Sequence, residues 1–306
     1  MPDKKKTIEI FGVPSDLGAN IQGALMGPPA IRISGLKKQI EAIGYDVLDR
    51  GNLEVPVRDA LGPKARDTFY LEALTVLCQN LCQKTKDSMA TGHLPLVLGG
   101  DHSLAIGSIS GISSWYASEG KKTGLIWVDA HADINTPESS DSGNIHGMPL
   151  ATLLGRGHKA LTDIGFAGAK VRPENVALLA IRNIDSIEKE LLRKSGISFF
   201  TMRDIDEQGM YPVMQQALAV ATRGTDAIHL SFDLDGIDPR HAPGVSTPVV
   251  GGLNFREAHL LLEMLAETGR LGSMEFVELN PYTDHDAQTS KLTVDLICSA
   301  LGKSII

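Results

Sequence analysis

Eight short apolar runs recur along the chain, at 7–13, 45–51, 94–100, 124–130, 176–182, 197–202, 227–233 and 273–279. Several, such as LPLVLGG and VALLAIR, are apolar at nearly every position rather than at alternate ones. That is the pattern of a strand covered on both faces. Helix-length amphipathic stretches lie between them: AIRISGLKKQIEAIG, FYLEALTVLCQNLCQ, SIEKELLRKSG, VMQQALAVATRG and FREAHLLLEMLAETG, many closed by glycine. Strand and helix in alternation leave few architectures open. The chain is expected to be α/β, with a doubly wound, predominantly parallel sheet and helices on both faces. No linker, internal repeat or break interrupts the alternation, so one domain over 1–306 is expected.

Composition narrows the class of activity. A net charge of −8 lacks the basic footprint of a nucleic-acid binder, so no nucleic-acid partner is expected. No segment approaches the roughly 20 apolar residues of a membrane span. Three lysines near the N-terminus are followed by a strand-length run rather than a signal core, and a cytoplasmic location is expected. Cys78 and Cys82 stand four apart on one helical face, with Cys298 far away. All three read as buried thiols.

Ligands of open α/β sheets bind at the carboxyl ends of the strands. There the sequence places Asp101-His102, then Asp129, His131 and Asp133, then Asp233 and Asp235, and finally Glu278 and Asn280. Residues at i, i+2 and i+4 of an extended stretch point the same way, so each set can converge. A lone DxD after a strand is more often a solvated turn or a cap. Several such signals lie at one sheet edge, and Asp129, Asp133, Asp233 and Asp235 with His102 and His131 make four carboxylates and two imidazoles in one place. Without cations those carboxylates would repel one another. Two metal ions sharing bridging carboxylates resolve the repulsion. A mixed carboxylate–imidazole set without thiolate suits Mn²⁺ best, with Fe²⁺, Co²⁺ and Zn²⁺ also compatible. Asp238, ahead of Pro239, reads as structural or as an outer support of the site rather than as a ligand. No glycine-rich phosphate loop of convincing form is present, against a phosphate-transferring enzyme.

The motifs GGDHS (99–103), DAHADIN (129–135), SFDLDGIDP (231–239) and VELNP (277–281), with GVPSDLGA…GPPAIR near the N-terminus, resemble the signatures of the ureohydrolases, the arginase and agmatinase family. The resemblance covers essentially the whole chain and implies the arginase-like three-layer α/β/α fold. It implies two Mn²⁺ per subunit: one on His102, Asp129, Asp133 and Asp233, the other on Asp129, His131, Asp233 and Asp235. A metal-bridging hydroxide, oriented by Asp133, would attack the guanidino carbon, and an amine would leave with urea as co-product. Glu278 matches the carboxylate that binds the guanidinium, and His146 the histidine that shuttles protons to the leaving amine, a role suited to a pKa near 6.5.

The stretch NTPESSDSGNIHG (135–147) is similar to an insert of arginases. By that likeness Asn135, Ser142 and Asn144 bind the α-carboxylate of the substrate, directly or through water. Asp185 contacts its α-amino group with Glu188 as an outer contact, and Thr247 contacts Glu278 or substrate. Asp185 also suits the N-cap of the helix that follows. Two positions depart from the pattern. Asn183 stands where many arginases place a second acid, and Asp141 adds a negative charge beside the carboxylate binders. The expected activity is hydrolysis of L-arginine to L-ornithine and urea. The alternatives are agmatine or another guanidino acid as substrate, or a non-catalytic homologue. The family also implies a homo-oligomer, a trimer or hexamer.

Overall fold

The computed structural model describes residues 6–303; Lys4 and Lys5 of the N-terminal lysine cluster lie outside the described residues. Its strands are β1 (Ile8–Val13), β2 (Val47–Asn52), β3 (Leu94–Gly99), β4 (Thr123–Val128), β5 (Val176–Ile181), β6 (Ser198–Thr201), β7 (Ala227–Asp233) and β8 (Leu271–Val277). Every pairing is parallel, and the order across the sheet is β2-β1-β3-β8-β7-β4-β5-β6. The expected α/β class and all eight strands are therefore present. β1, β3, β4, β5 and β7 are buried at every residue, which is why their sequences do not alternate.

Helices cover both faces. On one side Ile8, Ile10, Leu96, Leu98, Ile228, Leu230, Met274 and Phe276 pack against the helices Gly27–Ile33, Met210–Ala221, Phe255–Glu267 and Gln288–Ala300. On the other, Val97 and Val277 meet the helix Leu71–Ala90, and Leu125, Trp127 and Leu178 meet Ala105–Ser118 and Pro149–Leu153. Two long helices escape the amphipathic reading: Ala105–Ser118 and Gln288–Ala300 are buried almost all round, so neither carries one apolar stripe. Conversely, the pattern over 30–44 is two helices, parted at Gly35 with φ 92°. Phe69 and Tyr70, at φ 49° and 56°, precede the helix they were expected to begin.

Cys78, Cys82 and Cys298 are free and buried, as expected. A Cβ at Gly111 would lie 2.2 Å from the Cys82 carbonyl oxygen, so glycine there is what lets the two helices cross so closely. No helix among the described residues is long and apolar enough to cross a membrane.

The four strands whose ends carry the acids and histidines, β3, β8, β7 and β4, are the four central, adjacent ones. The chain builds β1 to β3 on one side and β4 to β6 on the other, then returns to fill the gap with β7 and β8. Chemistry delivered by segments far apart in sequence thus meets at one crevice.

Candidate functional site

Two groups of ligand atoms form at that crevice, His102 with Asp129 and Asp133, and His131 with Asp129 and Asp235. His102 Nδ1 lies 3.2 Å from Asp129 Oδ2 and 3.1 Å from both Asp133 Oδ2 and Asp233 Oδ2. His131 Nδ1 lies 3.3 Å from Asp129 Oδ1 and 3.2 Å from Asp235 Oδ2. Asp129 therefore presents one oxygen to each group. Asp233 Oδ1 accepts the Asp235 N–H at 2.8 Å, leaving Oδ2 as the oxygen that faces the cluster.

Convergence comes about differently from the expectation. Residues 129–133 are not a continuation of β4, because Asp133 has φ 49°. A left-handed residue, rather than strand alternation, turns its carboxylate onto His102.

The electrostatics ask for cations. Asp129, Asp133, Asp233, Asp235 and His102 are almost wholly buried. Burial disfavours charge on His131, yet Asp235 and Asp129 push it up to about 12. Burial and the neighbouring Asp129 charge push Asp133 up to about 6. Among the described residues His102 Nδ1 is buried with no hydrogen-bond partner, although three carboxylate oxygens surround it. A donor set of oxygens and imidazole nitrogens, with its central nitrogen unpartnered, fits divalent metal ions, which take over the role of the protons.

The far side of His102 is built to match. Its ring stacks on Trp127 at 4.2 Å, and the Trp127 indole N–H donates to Asp129 Oδ2 at 3.0 Å. His102 Nε2 lies 2.8 Å from Ser231 Oγ, which donates to Glu275 Oε1 at 2.7 Å, while Ser108 donates to Glu275 Oε2. A proton on Nε2 donated to Ser231 leaves the Nδ1 lone pair facing the carboxylate cluster. Sequence reading did not single out Ser231 or Glu275. The signal was there, since a glutamate inside a buried parallel strand needs a partner.

A cavity of about 270 Å³ opens over this floor, lined by His102, His131, Asp133, Asp233 and Asp235 and also by Asn135, His146, Asn183, Asp185, Glu188, Thr247 and Glu278. Glu278 follows β8 at φ 64° and is 1% exposed. Its Oε1 accepts the His102 N–H at 2.9 Å and lies 3.0 Å from His146 Nδ1. Its Oε2 is buried without a partner among the described residues. Burial would pull His146 down, but Glu278 pushes it up to about 9, so its value departs from the ordinary imidazole value expected from sequence. Glu188 is pushed up to about 8 by burial and by Asp133, and its Oε1 accepts the Ile134 N–H.

Asp185 caps the helix Ser186–Ser195, accepting the Ile187 and Glu188 N–H groups on Oδ1. Burial is modest there, and those donors with Asn135 hold its carboxyl below the usual range. Its Oδ2 accepts from Asn135 Nδ2 at 2.9 Å. Cap and cavity-lining residue are thus the same side chain.

Thr247, expected to contact Glu278 or substrate, lines the cavity and donates to Asp235 Oδ2 at 2.9 Å rather than to Glu278. Of the three residues expected at the α-carboxylate, directly or through water, Asn135 lines this cavity and Ser142 and Asn144 do not. The Ser142 hydroxyl accepts the Asn144 N–H, and Gly143 at φ 71° packs on Phe69, turning the chain toward a second hollow that Asn144 lines with Arg58 and Tyr70. Asp141 is exposed and lies outside the lining, so it does not oppose a bound carboxylate from within.

Asp238 is structural as expected, accepting from the Arg240 side chain and from the Gly251 and Gly252 N–H groups. Arg182, not anticipated, donates to the carbonyls of Asp235, Gly236 and Val249 among others, binding the loop 236–253 to the floor.

A family model described as the Arginase family matches residues 6–302. Arginase of Brevibacillus brevis is 45% identical over 301 residues, spanning 98% of this chain and 99% of that protein. The crystal structure of arginase from Bacillus caldovelox superposes with a TM-score of 0.94 at 44% identity, covering 99% of this chain and 100% of that one. Arginase from Bacillus cereus gives a TM-score of 0.92 at 45% identity, with 99% and 100% coverage.

Proposed function

The chain belongs to the arginase family, and from that premise we propose that this site hydrolyses L-arginine to L-ornithine and urea. The enzyme is a hydrolase acting on the guanidino C–N bond. One observation carries the substrate class. Glu278 offers a fully buried carboxylate oxygen without a partner among the described residues, in a cavity lined mostly by acids and imidazoles. Such an oxygen is satisfied by a planar fork of N–H donors on a cation, which is a guanidinium.

His102, Asp129, Asp133 and Asp233 would hold one ion and Asp129, His131, Asp233 and Asp235 the other, in a donor set suited to Mn²⁺. Two divalent cations supply there the positive charge that lets water be deprotonated near neutral pH. The chain's own residues do the rest. Glu278 fixes the guanidinium, and Asp133 accepts a hydrogen bond from the attacking water and orients it. The water oxygen bonds to the guanidino carbon, whose bond to the side-chain nitrogen then breaks. His146 holds the proton that the departing amine takes up, and its place against Glu278 at 3.0 Å supports that assignment. Asn135 reads the α-carboxylate and Asp185 the α-amino group, with Glu188 beneath.

Residues 1–306 are read as one catalytic domain, supported by a single eight-stranded sheet. A cytoplasmic homo-oligomer, trimer or hexamer, completes the reading; three free buried cysteines suit a reducing compartment. The test is urea release by Mn²⁺-loaded protein from equal concentrations of L-arginine and agmatine. Arginine is expected to be the faster substrate; faster release from agmatine overturns the substrate assignment.

A further inference from the structure

Ser139 lies outside the cavity, yet it is hydrogen-bonded to Asn135, which lines it. Its hydroxyl accepts the Thr136 N–H at 2.8 Å, and it lies 2.7 Å from Asn135 Oδ1. The backbone N–H must donate, and the single hydroxyl proton of Ser139 goes to the Asn135 carbonyl oxygen at 2.7 Å in preference to the Thr136 carbonyl oxygen at 3.4 Å. The Asn135 amide nitrogen then faces Asp185, donating to Oδ2 at 2.9 Å. Asp185 Oδ1 is filled by two backbone N–H groups, at 2.8 and 2.7 Å.

Counting donors and acceptors along this chain leaves two positions open among the described residues. One is the second N–H of Asn135 Nδ2; the other is the remaining acceptor capacity of Asp185 Oδ2. Both residues line the cavity. An open donor beside an open acceptor, held by one hydrogen-bonded chain, complements a carboxylate beside an ammonium. Reversing the Asn135 amide would set its oxygen against the Asp185 carboxylate oxygen, two acceptors with no proton between them. The network therefore permits one orientation.

We infer that Ser139 is a positioning residue for substrate choice: through Asn135 and Asp185 it presents a rigid donor–acceptor pair that recognises the α-amino-acid end of the substrate. This rests on the reading of the site as an L-arginine hydrolase. An amine substrate without a carboxylate would use only the acceptor half, and would feel the loss of Ser139 little.

The experiment compares wild type, Ser139→Ala and Ser139→Thr, all Mn²⁺-loaded. Ser139→Ala is expected to raise KM for L-arginine about tenfold, the loss of roughly one hydrogen bond. Metal content and kcat stay within twofold, and kcat/KM for agmatine is unchanged. Ser139→Thr keeps the hydroxyl and restores KM. In a double-mutant cycle with Asp185→Asn, the two increases in KM should fall short of multiplying, because both variants cut one network. An unchanged KM for arginine, equal losses for arginine and agmatine, or no rescue by threonine overturns the proposal.

Calorimetric binding of L-ornithine against 1,4-diaminobutane separates the two readings, since it needs no turnover. If wild type prefers agmatine as substrate, the arginase reading fails. The Ser139 network is then still judged by whether Ser139→Ala weakens ornithine binding and spares the diamine.

Discussion

Glu278 and Asp133 both hold left-handed backbone conformations, at φ 64° and 49°. Outliers of this kind cost of order 1–3 kcal/mol each and persist where surrounding structure over-determines them. Each aims a carboxylate into the cavity, Glu278 directly after β8 and Asp133 from the loop that follows β4. Glu278→Gln keeps the shape and removes the charge that a guanidinium needs. It is expected to lower kcat/KM for L-arginine by on the order of 10²–10³-fold with both ions retained, checked by steady-state kinetics beside metal analysis. The pairing of His146 with Glu278 makes a second prediction, for the metal-free protein. Glu278 raises the folded-state pKa of His146 to about 9, above the unfolded value near 6.5. The pairing therefore stabilises fully below about pH 6.5 and is lost as pH rises through about 9. The Tm difference between wild type and His146→Asn should be present at pH 6 and gone by pH 10. A difference constant across that range would show that the ion pair is not its source.

At the level of elements, β7 and β8 carry more than their terminal ligands. Ser231 and Glu275 face each other across these two strands, in register at Ser231↔Glu275, and anchor the back of His102 through Nε2. Outer partners of this kind typically change metal affinity 10- to 100-fold. Glu275→Gln and Ser231→Ala are expected to weaken one of the two Mn²⁺ binding steps by that factor in a calorimetric titration while leaving the other nearly unchanged. Equal weakening of both steps would place the relay's effect in the fold rather than at His102. The loop 236–253 depends on Arg182, whose guanidinium meets the carbonyls of Asp235, Gly236 and Val249 at 2.6–3.1 Å. Arg182→Met leaves those carbonyls without their shared donor and should cost about 3 kcal/mol in denaturant unfolding. It should also speed proteolysis within 239–252, with the same band pattern elsewhere.

For the whole molecule, four buried carboxylates and two imidazoles gather beyond the ends of β3, β4 and β7, and the fold holds them together against their repulsion. Cations that bind the folded state alone stabilise it by RT ln(1 + [L]/Kd), about 4 kcal/mol per ion at a thousandfold excess over Kd. Chelation should therefore lower Tm by several degrees, and added Mn²⁺ should restore it in a concentration-dependent way. An unchanged Tm would mean that the cluster is balanced without metal.

Much of this was legible in the residues themselves. Five of the strands, β1, β3, β4, β5 and β7, read as apolar runs because a parallel strand buried on both faces has no polar side to show, whereas β2 and β6 are partly exposed and less apolar. Asp129, His131, Asp133, Asp233 and Asp235 stand out for the opposite reason, as charges placed where those runs stop. The helices Ala105–Ser118 and Gln288–Ala300 were not legible, since burial on all sides erases the stripe that marks a helix. That Ser142 and Asn144 lie outside the cavity lining was not legible, because a loop's direction turns on one left-handed glycine and on Phe69, which is distant in sequence. Arg182, Ser231 and Ser139 act through hydrogen bonds to groups whose nearness no local pattern records.

By itself, then, the sequence determined the fold class, the edge of the sheet where chemistry collects, and the ligand types gathered there. Hydrophobic periodicity and the placement of charges are properties of short segments, so they can be read without coordinates. Only the tertiary structure decided which oxygen of each carboxylate faces which imidazole, which nitrogen of His102 is left open, and which rim residues reach the cavity. Those depend on strands far apart in sequence coming into register, and on single backbone conformations that turn a side chain by several ångströms.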